Sequence, residues 1–135
     1  MNAVDTNILL YGNDPRDQRK QALALEVIRS IEDGVLLWQV ACEYLAAARK
    51  LVPHGLTPAA AWKQIEGLRD GWRVEYPTWQ VLSTAYHWHR SHSVSFWDAM
   101  ILAACDEAKI TTLYSEDINP NMVHMPQLKI INPFT

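Results

Sequence analysis

Asp5, Glu43, Asp98 and Asp117 are the residues whose type and placement could do chemistry. Asp5 lies in Ala3-Val4-Asp5-Thr6-Asn7-Ile8-Leu9-Leu10-Tyr11, between a short strand-like run from Asn2 to Val4 and one turn of buried helix from Ile8 to Tyr11. It is expected at the carboxyl end of a strand. In open α/β sheets ligands bind at that edge, because the loops there diverge and leave a crevice. Asp98 is the only charge between Phe96 and Cys105, in a helix that is apolar nearly all round and belongs in the middle of a domain. Glu43 falls in the first turns of the helix that follows strand Val35 to Trp38, and Asp117 falls just after strand Thr111 to Tyr114.

Each acid has a structural alternative. Asp5 or Thr6 can cap a helix by accepting a bond from an orphan backbone N–H. Ser95-x-x-Asp98 imitates a capping box, and a carboxylate in a first helical turn gains about 0.3–1 kcal/mol from the dipole. Glu43 alone reads as an exposed helix residue, and Asp117 as the cap of a turn ending in Asn119-Pro120. Convergence outweighs these readings, since the strand and helix assignments put all four acids at one end of one sheet. Two carboxylates about 4 Å apart repel by about 4 kcal/mol at an effective dielectric of 20. Such a cluster raises carboxyl pKa values or recruits cations, and hard oxygen ligands select Mg²⁺ or Mn²⁺. A metal so held activates water and stabilises charge growing on a phosphodiester oxygen. His87, His89 and His92 offer no comparable zinc site, because only His89 and His92 share a helix face and no Cys accompanies them.

The elements that must position the acids are legible in the periodicity. Ala24, Val27, Ile28 and Ile31 mark an amphipathic helix that Gly34 is expected to end. Val35 to Trp38 is wholly apolar, as for a strand covered on both faces. Helices follow from Gln39 to about Leu51, from Thr57-Pro58 to Gly71, from Pro77 to about Arg90 and from Phe96 to about Lys109. Further strands are expected at Arg73 to Tyr76, Thr111 to Tyr114 and Leu128 to Ile131. Short strands separated by helices, with no hairpin signal, require crossovers. The fold class is α/β, a short, mainly parallel central sheet with helices on both faces, and residues 1–135 are read as one domain.

Of 135 residues, 49% are apolar and 20% charged, which excludes a disordered chain. The net charge of −3 argues against coating nucleic acid by bulk positive charge. That argument weakens once four of the fifteen acids are assigned to one site, which leaves eleven against twelve Lys and Arg. No apolar run approaches a membrane span or a signal peptide, so the chain is read as cytoplasmic, with no membrane partner. Cys42 and Cys105 are expected as buried free thiols, and Trp62, Trp72 and Trp79 as an exposed patch for another subunit.

In these stretches the chain resembles the PIN-domain nucleases, most closely the VapC-like toxins of bacterial toxin–antitoxin pairs. The matching segments are Val-Asp5-Thr-Asn-Ile-Leu-Leu-Tyr, Val-Ala-Cys-Glu43-Tyr-Leu, Ser-Phe-Trp-Asp98-Ala-Met-Ile-Leu-Ala-Ala and Leu-Tyr-Ser-Glu-Asp117, with Ile-Asn-Pro-Phe134 after them. The resemblance implies a three-layer PIN-like fold, an RNA substrate, and Asp5 and Asp98 as the principal Mg²⁺ ligands, with Mn²⁺ able to substitute. Glu43 and Asp117 would complete the acidic site, supported by Thr6, Asn7, Ser115 and Glu116. It also implies a homodimer, silenced by a small antitoxin lying across the active-site groove. Asn119-Pro120-Asn121-Met122 stands where a glycine-containing loop is expected, which leaves open whether Glu116 or Asp117 turns inward. Alternatives are a housekeeping RNA-processing PIN nuclease and a catalytically silent PIN-like module that binds RNA or protein. A dehalogenase-like phosphatase would need a second Asp where Asn7 stands, and a receiver domain a lysine after a later strand, whereas Lys109 precedes its strand.

Overall fold

The computed structural model describes residues 1–135. Five strands of three residues each, β1 (Asn2–Val4), β2 (Val35–Leu37), β3 (Arg73–Glu75), β4 (Thr112–Tyr114) and β5 (Lys129–Ile131), alternate with helices. The helices are α1 (Thr6–Tyr11), α2 (Gln18–Ser30), α3 (Trp38–Ala47), α4 (Pro58–Gly71), α5 (Trp79–Ser91) and α6 (Phe96–Ala108), and a 3₁₀ segment, Ala48–His54, extends α3. All the pairings are parallel: β1 with β4, β4 with β5, and β2 with β3. A single bridge, Asn2 to Gly34, joins the two groups, with the Asn2 N–H donating to the Asp33 carbonyl at 2.8 Å. The strands therefore run in the order β3-β2-β1-β4-β5. The expected short parallel α/β architecture is observed.

This order matters for the site. From β1 the chain moves outward through β2 and β3, then crosses back to lay β4 on the other side of β1. The connections leaving the carboxyl ends of β1 and β4 thus diverge, and a crevice opens there. Each strand is too short to bury much itself. The core is instead a continuous cluster that includes Ala3, Val4, Val35, Leu36, Leu37 and Leu113 from the strands, with Ile101, Leu102 and Cys105 of α6. No helix is long and apolar enough to cross a membrane.

Several boundaries differ from the sequence reading. Trp38 begins α3 rather than ending β2, and its side chain is half exposed, whereas Val35, Leu36 and Leu37 are buried. α5 begins at Trp79 rather than Pro77, and Thr78 caps it, accepting from the Val81 N–H at 3.3 Å. Thr57 caps α4 with Pro58 in its first turn, as expected. Cys105 is buried and free, but Cys42 is exposed because it falls outside the Val40-Ala41-Tyr44 face that α3 buries. Trp62 and Trp79 are exposed while Trp72 packs against the core, so the three do not form one patch.

Gly34 does not end α2, which stops at Ser30 with Ile31 already extended. It is glycine because the Trp72 indole lies directly on it, and a Cβ there would collide with the ring. The Gly34 carbonyl accepts from the Arg73 N–H at 3.1 Å, so this contact sits where β2, β3 and β1 are joined. Gly34→Ala should destabilise the fold by about 1–3 kcal/mol, as overpacking does. In a Trp72→Leu background most of that loss should vanish. Urea unfolding of the four proteins measures this, and strictly additive costs would show that the indole is not the cause.

Candidate active site

Asp5, Thr6 and Ser115 are the only polar residues buried in the chain, and they meet at the carboxyl ends of β1 and β4. The Asp5 N–H donates to the Tyr114 carbonyl at 2.8 Å, which continues the ladder one residue past β1. One oxygen of the Asp5 carboxylate accepts from the Thr6 N–H at 2.8 Å, and the other from the Ser115 hydroxyl at 2.8 Å. Ser115 Oγ in turn accepts from the Ile118 N–H at 3.1 Å, which shapes the loop after β4. The helix-cap reading of Asp5 is therefore correct as far as it goes. The cap uses one carboxylate oxygen; the other is held by the Ser115 hydroxyl, just past β4.

The remaining acids are gathered round this one. Glu43 Oε1 accepts from the Thr6 hydroxyl and from Gln39 Nε2, both at 3.2 Å, and Gln39 also donates to the Trp97 carbonyl at 3.2 Å. Asn7 Nδ2 donates to the Asp117 carboxylate. Asp98 occupies the first turn of α6, where its N–H donates to Ser95 Oγ at 3.1 Å, half of the expected capping box. Asp5, Thr6, Asn7, Glu43, Asp98 and Asp117 all line one open cleft of about 570 Å³. Ser115 lies beneath it.

Glu116 turns the other way, accepting from Tyr11 Oη at 2.8 Å and from Lys20 Nζ at 2.6 Å. Asp117 is the inward acid of the pair. Two lining or supporting residues escaped the sequence reading, Gln39 and Lys50. Gln39 precedes Glu43 by one helical turn, the spacing at which side chains meet, so its role had a local signal. Lys50 is the only basic residue lining the cleft, and no ion pair engages it. A second cleft of about 520 Å³ opens beside Thr111 and Lys109, but Asp106 is its only acid, so size does not single out the site. His89 Nδ1 lies 2.9 Å from the Val94 carbonyl oxygen, outside the cleft.

Burial pushes the Asp5 carboxyl above its ordinary pKa; the Ser115 hydroxyl and Thr6 N–H oppose this, while the charges of Asp98 and Glu43 add to it. Asp98 is also raised, first by burial, with Ser95 opposing and the charge of Asp117 reinforcing. The cleft thus holds carboxylates that repel one another, with oxygen donors suited to a hard divalent cation. No three His, Cys, Asp or Glu side chains close round a point as a metal cage would. An ion that keeps several waters and takes one or two carboxylates needs no such cage.

A carboxyl whose pKa is raised on folding favours the folded state while it is protonated, below its ordinary pKa near 4. That contribution is lost as pH rises through the folded value. Asp98→Asn should therefore match the wild type in stability at low pH and exceed it progressively from about pH 4 towards neutrality. The backbone bond to Ser95 survives the substitution, since it uses the Asp98 N–H. Urea titrations in excess chelator across this pH range test the expectation. A variant less stable than the wild type at pH 7 would make the capping and dipole role of Asp98 the dominant one.

Residues 3–123 match the PIN domain family. No curated protein matches the chain in sequence. Among solved structures, the fold is similar to a toxin–antitoxin complex from Klebsiella pneumoniae, with 16% identity and a TM-score of 0.68 over 98% of each chain. It is also similar to Mycobacterium tuberculosis VapC20, described as a sarcin–ricin loop cleaving toxin, with 23% identity and a TM-score of 0.68 over 87% of this chain and 90% of that one. VapBC2 from Rickettsia felis, solved with a fragment of promoter DNA, gives 12% identity and a TM-score of 0.66 over 97% of each chain. With the family match spanning nearly the whole sequence, and with four acids on one sheet edge of a shared fold, the chain belongs to the PIN domain family.

Proposed function

We propose that this protein is a Mg²⁺-dependent endoribonuclease and the toxin component of a toxin–antitoxin pair. One observation carries the reading: a buried, doubly hydrogen-bonded Asp5 shares an open cleft with Asp98, Glu43 and Asp117. Asp5 and Asp98 are the residues that would hold the ion. When bound, Mg²⁺ lowers the pKa of a water and offsets charge developing on the phosphodiester oxygens. Hydrolysis forms a phosphorus–oxygen bond to water and breaks one to the departing nucleoside, which takes up a proton. Glu43, held by Thr6 and Gln39, and Asp117, held by Asn7, are fixed acceptors at the rim that can orient the attacking water and receive its proton. Lys50 supplies the one positive charge on the cleft wall, suited to a neighbouring phosphate of a polyanionic strand.

RNA as the substrate is supported by the resemblance and by the description of VapC20; the toxin role by the toxin and toxin–antitoxin structures that share the fold. A homodimer belongs to the same reading. An antitoxin would insert a basic side chain among the four carboxylates in place of the ion, and Arg suits that task because its planar fork binds carboxylates bidentately.

Purified protein should cleave a mixed RNA pool with Mg²⁺ or Mn²⁺ and cease in excess EDTA. Asp5→Asn should lose at least about 100-fold in rate, the scale seen when a group stabilising transition-state charge is removed. Lys50→Glu should raise KM more than it lowers kcat. Undiminished cleavage in EDTA by protein free of contaminating nuclease would remove the metal from the mechanism. In cells, the wild type expressed alone should arrest growth of its host and Asp5→Asn should not, while co-expression of the neighbouring small reading frame should restore growth. An active enzyme that is harmless at high level, with no adjacent product binding it, would point to a housekeeping RNA-processing role.

A further inference from the structure

Glu116 and Asp117 are consecutive, yet their carboxylates leave the loop in different directions, and both are received by α1. Asn7 donates to Asp117, and Tyr11, one turn further along the same helix face, donates to Glu116 at 2.8 Å. A second helix completes the grip on Glu116. Lys20 Nζ lies 2.6 Å from Glu116 Oε2 and 3.3 Å from Tyr11 Oη. Its ammonium also sits 4.5 Å from the centre of the Tyr11 ring and 5.3 Å from that of Phe134, and those two rings meet edge to face at 5.0 Å. Both ends of this arrangement are anchored. The Lys20 N–H donates to the Asp17 cap of α2 at 3.0 Å, and Arg19 donates to the Phe134 carbonyl at 2.8 Å. The Lys20–Glu116 pair is only partly exposed, so solvent screens it less than an ordinary surface ion pair.

We propose that Lys20 is a positioning residue for the acidic site. By taking Glu116 out of the cleft together with Tyr11, it fixes the loop after β4 so that Asp117 is the acid presented to Asn7 and to the substrate. Without that charge, Glu116 is free to compete with Asp117 for the inward position. The proposal rests on the reading of Asp117 as part of the nuclease site, but its structural half can be observed in metal-free protein with no substrate.

The Asn7 side-chain amide, assigned by its loss in Asn7→Ala, reports the contact to Asp117 in ¹H–¹⁵N spectra. In Lys20→Ala its two proton resonances should move towards those of a solvated asparagine, and Lys20→Arg should return them to the wild-type positions. Glu116→Gln, which keeps the shape of the side chain and removes the ion pair, should act like Lys20→Ala, and it serves if Lys20→Ala does not fold. With RNA and Mg²⁺, kcat of the Ala variant should fall by about 10- to 100-fold, the scale on which outer supporting groups of a metal site act, with KM unchanged and with rescue by Arg. Unmoved Asn7 resonances in both Lys20→Ala and Glu116→Gln overturn the proposal, as does an unchanged kcat in an active enzyme. If the wild type cuts no RNA, the assigned function falls, and the Asn7 resonances alone decide whether Lys20 sets the loop.

Discussion

The buried carboxylate of Asp5 is the constraint on which the site depends. A charge removed from water costs several kcal/mol unless hydrogen bonds replace its hydration, and hydrogen bonds to charged groups return about 1.5–3 kcal/mol each. Asp5 obtains two, from the first N–H of α1 and from a hydroxyl just past β4. These bonds tie together the strand, the helix that follows it and a neighbouring strand. Each donor then organises something further: Thr6 holds Glu43 through its hydroxyl, and Ser115 Oγ holds the backbone of the loop that carries Asp117. Glu43 and the loop of Asp117 are thus successive bonds outward from Asp5, whereas Asp98 is placed separately, in the first turn of α6 that Ser95 caps.

Much of this could be read in the sequence because the signals were local. An acid at the end of an apolar run, followed by helical periodicity, places itself at a sheet edge whatever the rest of the chain does. The same logic put Glu43 and Asp98 near that edge, and the observed cleft contains both. The start of α5 and the exposure of Cys42 were local matters, but other differences turned on contacts distant in sequence. Gly34 looked like a helix stop because nothing nearby announces the Trp72 ring lying on it. Trp38 continued an apolar run and so read as strand, although the sheet ladder ends at Leu37. The choice between Glu116 and Asp117 was decided by Lys20, far away in the chain and on a different helix. No spacing rule reaches that far.

The sheet is central to the fold yet minimal. β1 joins the strands β4 and β5 by a full ladder but joins β2 and β3 by a single bridge. Asp5, Ser115 and Asp117 follow the first group, whereas Glu43 follows β2. The hydrogen bond from Thr6 to Glu43 therefore also closes the cleft across the weakest line of the sheet.

The pairing of β1 with β4 has a temporal consequence. Asn2 lies opposite Thr112, and Asp5 takes its bond from Ser115, 110 residues further along, so the full ladder of β1 must wait for a distant part of the chain. Contacts of such long separation form late, after the entropy of closing the intervening chain has been met. A nascent chain, even one that has already formed α2 to α5, has neither its central ladder nor its full acidic cluster until the final fifth of the sequence has emerged. The architecture delays competence: the cleft cannot present its full set of carboxylates before β4 and the loop after it have folded against β1.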